Sequence, residues 1–164
     1  MENQKVYGPH EAVMLGIELE NAGHHFYTRV ADCAVDFRVK EIFQKLAAAE
    51  VKHLKIIKEE IEPIFAPEWY REEDQQLMAE YLRDVEKQPV FPDPEEAADY
   101  CSRADTTVKA IDIGIRAEER SMMYFSYLRD ATQDDAGKEA FERLYNEESK
   151  HLKMLQDLKK ELLA

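Results

Sequence analysis

Two nine-residue stretches of the chain share one pattern, AEVKHLKII at 49–57 and EESKHLKML at 147–155. Each carries a glutamate and a histidine three positions apart, Glu50 with His53 and Glu148 with His151. On a helix that spacing puts both side chains on one face, about one turn apart. A carboxylate and an imidazole so placed can hold a metal ion together, or hydrogen-bond to each other. Where the face points decides which chemistry is available. Both pairs sit in apolar stripes: Val39, Phe43, Leu46, Glu50, His53 and Ile57 in one, and Phe141, Leu144, Glu148, His151, Leu155 and Leu158 in the other. Two more stripes carry one acid each. Glu20 falls among Val13, Ile17, His24, Tyr27 and Ala31, and Glu118 among Val108, Ile111, Ile115, Met122 and Phe125.

Glutamate is almost never fully buried without a partner, and an isolated charge in a core is heavily penalised. Four acids on four inward seams would also repel one another. A pair of divalent cations resolves both problems, because four carboxylates balance two doubly charged ions and neutral imidazoles complete the coordination. Oxygen and nitrogen donors without thiolate suit iron or manganese, with zinc as a further occupant. The rival is a metal-free Glu–His network, which must satisfy every buried member by hydrogen bonds alone.

These residues need helices to position them. Displaced by 98 positions, residues 12–57 match 110–155 without a gap, with fifteen of forty-six positions identical. The identities include Gly16/Gly114, Glu20/Glu118, Phe43/Phe141, Glu50/Glu148 and His53/His151. Two copies of a long unit suggest a pseudo-twofold domain built from two related halves. Each half reads as two helices around a break, ADCAVD at 31–36 with Asp36 as N-cap and DATQDDAG at 130–137. Glu20 and Glu50 are equally far from the first break, and Glu118 and Glu148 from the second. In an antiparallel hairpin, equal distance from the turn means equal height.

The expected fold is therefore all-α: two related antiparallel hairpins, 10–61 and 97–163, in a single domain over 1–164. They are joined by a crossover at 62–96. The crossover holds five of the six prolines and the only tryptophan, Trp69, and Leu77, Tyr81 and Val85 suggest a short helix within it.

Composition narrows the class of function. There are 35 acidic against 22 basic residues and a net charge of −13, which argues against nucleic-acid and anionic-membrane partners. Cys33 and Cys101 are far apart and form no CxxC pair, so the expectation is a reducing compartment without a disulfide framework. The start, MENQKVYGPHEAVML, lacks the apolar run of a signal peptide, and no stretch is long and apolar enough to span a bilayer. A cytoplasmic location is expected.

At this point the stretches GIELENAGHHFY, AAAEVKHLKII, IGIRAEERSMMYF and NEESKHLKML resemble the motif helices of the rubrerythrin branch of the ferritin-like di-iron carboxylate proteins. The resemblance implies a ferritin-like four-helix bundle holding two iron ions. It implies that Glu50 and Glu148 bridge the metals, that Glu20 and His53 complete one, and that Glu118 and His151 complete the other. Tyr27 matches a tyrosine beside the site in relatives, where it would hydrogen-bond a carboxylate. Two departures stand out. Relatives carry a further glutamate three residues after the third-helix ligand, where this chain has Ser121. No C-terminal rubredoxin domain is expected beyond KKELLA, so electrons are expected from a separate donor such as a rubredoxin-type protein.

The implied activity is reduction of hydrogen peroxide or dioxygen by a non-haem di-iron oxidoreductase. A ferroxidase would need the same six residues, and a bundle merely stapled by metal is the non-enzymatic rival. A homodimer is expected from the family. His24 reads as packing or support for the ligands, His10 and His25 as surface, and Asp112 as peripheral. Met122, Met123, Tyr124 and Phe125 read mostly as core, and Cys33 and Cys101 as structural.

Overall fold

A computed structural model describes residues 8–64, 72–92, 96, 100 and 104–164. Four long helices dominate: α1 (Pro9–Cys33), α2 (Phe37–Ile56), α4 (Ala104–Ala131) and α5 (Asp135–Leu163). A shorter α3 (Glu72–Lys87) lies in the crossover. α1 packs along α2 and α4 along α5, and the hairpins meet chiefly where α2 faces α5. The architecture is all-α and consistent with the ferritin-like bundle.

Both hairpin turns use the same device. Asp36 caps α2, its side chain accepting from the Arg38 amide at 2.8 Å. Asp134 caps α5 by accepting from the Gly137 amide, also at 2.8 Å. Each satisfies an amide that has no partner inside the helix. The stripes then fix which faces meet. α2 buries Val39, Phe43, Leu46, Ala47, Glu50 and His53, and α5 buries Phe141, Leu144, Glu148, His151, Leu155 and Leu158 among others.

The apolar core is divided in two. One cluster gathers Val13 of α1, Ile57 and Ile61 beyond α2, Leu82 of α3, Tyr124, Phe125 and Leu128 of α4, and Phe141 and Leu144 of α5. The other gathers Phe26, Tyr27 and Val30 of α1, Val39, Phe43 and Leu46 of α2, Ile111 and Ile113 of α4, and Leu155 and Leu158 of α5. On α1 the division falls on either side of Glu20, and on α5 between Leu144 and Leu155. The polar residues therefore occupy a layer at mid-bundle with an apolar plug at each end.

The helix of α2 widens into a π-turn at Ile57–Ile61 before a short 3-10 turn at Glu62–Ile64. Arg143 of α5 ion-pairs with Glu60 of that turn. In the crossover, α3 forms as the periodicity suggests, and among its described side chains Leu82 is buried and Tyr81 half-buried. The side chains of Leu77 and Val85, and residues Pro67, Trp69, Pro94 and Cys101, lie outside the described residues.

Two expectations are corrected. Met123 is exposed rather than core, because it falls on the outward face of α4. Cys33, at the C-terminal end of α1, is disulfide-bonded, so the cysteine pattern gives no support for a reducing compartment. Among the described residues, no helix is long and apolar enough to cross a membrane.

Candidate metal centre

Glu20 and Glu118 come from the middles of α1 and α4, Glu50 with His53 from α2, and Glu148 with His151 from α5. All six are buried, none more than 5% exposed. The donor atoms of His53, Glu148 and His151 form one group, and two overlapping groups of four complete the layer. Glu20, Glu50, His53 and Glu148 make one, and Glu50, Glu118, Glu148 and His151 the other, with the atoms of each group within 4.8 Å of one another. Glu50 and Glu148 belong to both. Glu20 with His53 and Glu118 with His151 belong to one each.

The imidazoles aim Nδ1 into this layer. His53 Nδ1 lies 3.2 Å from Glu20 Oε2, 3.4 Å from Glu148 Oε1 and 3.6 Å from Glu50 Oε2. His151 Nδ1 lies 3.0 Å from Glu148 Oε2 and 3.8 Å from Glu118 Oε2. The two rings are stacked, 5.3 Å apart and 19° from parallel. The pseudo-twofold relation seen in the sequence thus has a counterpart in space.

Without a cation the layer must manage its charge with protons. Burial, and then the neighbouring Glu50 and Glu148, push the Glu20 carboxyl well above its ordinary value. Burial and Glu148 do the same to Glu118. Burial also works against the charge of Glu148, but hydrogen bonds from His151 and His53 outweigh it and hold that carboxyl below the usual range. Burial likewise opposes the charge on His53, and its bonds to Glu148, Glu20 and Glu50 prevail and keep the imidazole protonated. Without metal the layer thus favours charge on Glu148 and His53 and opposes it on Glu20 and Glu118.

Even so, one atom is left over. Among the described residues, Glu20 Oε1 is a buried side-chain oxygen without a hydrogen-bond partner. An unmet buried acceptor costs about 1–3 kcal/mol. A cation between the acids would meet it, and the oxygen-plus-nitrogen donor set suits iron, manganese or zinc. The residues fit a dinuclear metal site. The rubrerythrin family model matches residues 11–159, which include all six.

The chain belongs to the rubrerythrin family.

Comparisons with curated proteins and with solved structures gave no match. Membership places the other residues singled out in the sequence in context. Tyr27 is fully buried and donates from its hydroxyl to Glu118 Oε1 at 2.6 Å. Burial, and then Glu118, push the phenol well above its ordinary value, so it stays a donor. Phe43 meets the Tyr27 ring edge-on at 5.6 Å and fixes its direction. His24 bonds through Nδ1 to the Ala47 carbonyl at 2.9 Å, tying α1 to α2. His10 and His25 are exposed, and Asp112 ion-pairs with Lys159 at 2.6 Å. Ser121 is half-buried and offers no carboxylate.

Sequence reasoning missed two neighbours of the layer, Gly23 and Phe91. A Cβ at Gly23 would lie 3.3 Å from the Glu50 carboxyl carbon and 3.3 Å from Phe91 Cζ. Phe91 sits in irregular chain between prolines, where no periodicity marks a residue as inward-facing. Gly23 gave one unread signal: it stands where the second half has Ser121.

Proposed function

We propose that this rubrerythrin-family member is a non-haem di-iron oxidoreductase that reduces hydrogen peroxide or dioxygen with electrons from a separate donor. The observation that carries the reading is the sharing of Glu50 and Glu148 by two otherwise distinct donor groups in a buried layer. On this reading Glu50 and Glu148 bridge two ions. Glu20 and His53 hold one, and Glu118 and His151 the other. Bound iron would supply one electron from each ion to a small oxidant held between them.

The chain's own groups have separable tasks. Glu50 and Glu148 would serve as ligands common to both ions. The Tyr27 hydroxyl, donating to Glu118 Oε1, orients that carboxylate and keeps a proton at the edge of the layer. The apolar plugs above and below exclude bulk water, which strengthens every electrostatic interaction between them. Because Ser121 brings no further carboxylate, the ligand set stays at six and the acids needed to balance two divalent ions are all present before oxidation.

The test is metal content and optical spectrum of the anaerobically reduced protein, before and after stoichiometric peroxide. The expected result is two iron ions per chain and a ferric spectrum within the mixing time. Two irons that both peroxide and dioxygen leave reduced would refute the reading. Oxidation by dioxygen with release of ferric iron would transfer the site to iron handling. The Glu50→Ala variant should take up far less metal, and unchanged occupancy would remove the bridging assignment.

A further inference from the structure

The crossover sends one aromatic side chain to the edge of the acid layer. Phe91 stands edge-on to Tyr27, with ring centres 5.7 Å apart and planes at 88°, and lies 5.3 Å from Phe26. On α1, the bare backbone of Gly23 faces both the tip of this ring and the carboxyl carbon of Glu50. Any side chain at residue 23 would occupy the space between them. Phe91 also lines a cavity of about 710 Å³, together with Val90, Pro92 and Ile113 and the charged residues Arg116 and Glu96. The same ring therefore borders an open cavity and the neighbourhood of a buried acid.

We propose that this cavity is the vestibule through which a small neutral oxidant reaches the metal centre, and that Phe91 is the gate between them. The proposal rests on reading the acid layer as a di-metal site. Along the bundle axis the layer is sealed by fully packed aromatic and aliphatic side chains on regular helices. Among the described residues, the barrier at Phe91 is a half-buried ring on non-helical chain, and turning it against Phe26 and Tyr27 does not require a helix to unwind. The vestibule is far larger than a peroxide molecule, so selection falls to the ring and to the gap at Gly23. Its walls mix apolar side chains with the oppositely charged Arg116 and Glu96. Gly23 serves the same route, since it keeps the space between ring and carboxyl free.

Nitric oxide, neutral and diatomic, is the probe. Its binding to the anaerobically reduced, iron-loaded protein is followed by stopped-flow absorbance in the wild type, Phe91→Ala and Phe91→Trp. The smaller side chain should raise the association rate roughly tenfold and the larger one lower it roughly tenfold, as expected of a gating residue. Iron content and the final amplitude should stay the same. If Phe91→Ala loses iron, Phe91→Leu keeps an apolar side chain and still shortens the gate. Rates within about twofold of one another across iron-loaded variants would overturn the proposal. Peroxide separates this proposal from the functional reading. Phe91-dependent nitric oxide binding with no oxidation by peroxide or dioxygen keeps the gate and removes the oxidoreductase. Fast peroxide oxidation with rates indifferent to Phe91 does the reverse. A chain that binds no metal removes both.

Discussion

Replacing Glu118 with glutamine should affect the metal-free and metal-loaded protein in opposite ways. In the metal-free layer Glu118 is already held neutral by burial and by Glu148. Glutamine copies that neutral acid in size and can still accept from Tyr27. The donor atoms of Glu118, Glu50 and Glu148 lie within 4.8 Å of one another. At an effective dielectric constant of about 20, two unit charges at 4.8 Å repel by about 3.5 kcal/mol. Glutamine never carries this penalty, so metal-free stability should hold within about 1 kcal/mol or rise. With metal bound the sign reverses. Four carboxylates balance two divalent ions, whereas three leave one positive charge buried without a counter-charge. If the affected ion binds ~100-fold more weakly, linkage removes about 2.7 kcal/mol of metal-induced stabilisation. For a chain of this size that is roughly a 5–10 °C smaller rise in melting temperature on metal addition. The assay is thermal unfolding of both proteins with a chelator and with excess Fe²⁺ under argon. A metal-free Glu118→Gln protein that loses several degrees, and then gains as much from metal as the wild type, would refute the reasoning. It would make Glu118 a structural hydrogen-bonding acid.

Four further outcomes follow from the same geometry. Because the metal-free layer favours the protonated forms of Glu20, Glu118 and His53, loading metal at neutral pH should release protons, measured with an indicator dye in weak buffer. The two raised carboxyls stabilise the metal-free fold fully below 4.5, and that contribution is lost as pH rises through their folded values. His53 acts in the same direction above 6.5, so the metal-free melting temperature should fall from mildly acidic to alkaline pH, while the loaded protein stays flat. Tyr27→Phe removes the 2.6 Å bond to Glu118 but keeps the ring packing, and should weaken metal binding about 10–100-fold in a competition titration with a chromophoric chelator. Phe43→Ala empties a fully buried site against Tyr27 and should cost about 3–5 kcal/mol in denaturant unfolding.

Much of the arrangement could be read from the chain because it is repeated and periodic. The break at 31–36 with its Asp36 cap and the stripes of α1, α2, α4 and α5 depend on local rules: caps, helical period and the cost of burying acids. The internal duplication tied the two halves together, so the heights of Glu20, Glu50, Glu118 and Glu148 could be set from spacing alone. Met123 shows where the rule fails, since it neighbours core residues in sequence yet lies on the outward face. The crossover was less legible, because a proline-rich segment has no period to assign a facing direction.

The sequence by itself determined the helices, their inward faces and the six polar residues set on those faces. Each of these follows from interactions within a few residues of the same chain. Only the tertiary structure decided that Glu50 and Glu148 are common to both donor groups, that Glu20 Oε1 is left without a partner, that Tyr27 reaches Glu118, and that Phe91 comes to rest against Tyr27 and Gly23. Those contacts join residues from different helices and from the crossover. Their distances are set by how the hairpins dock, which no local pattern encodes.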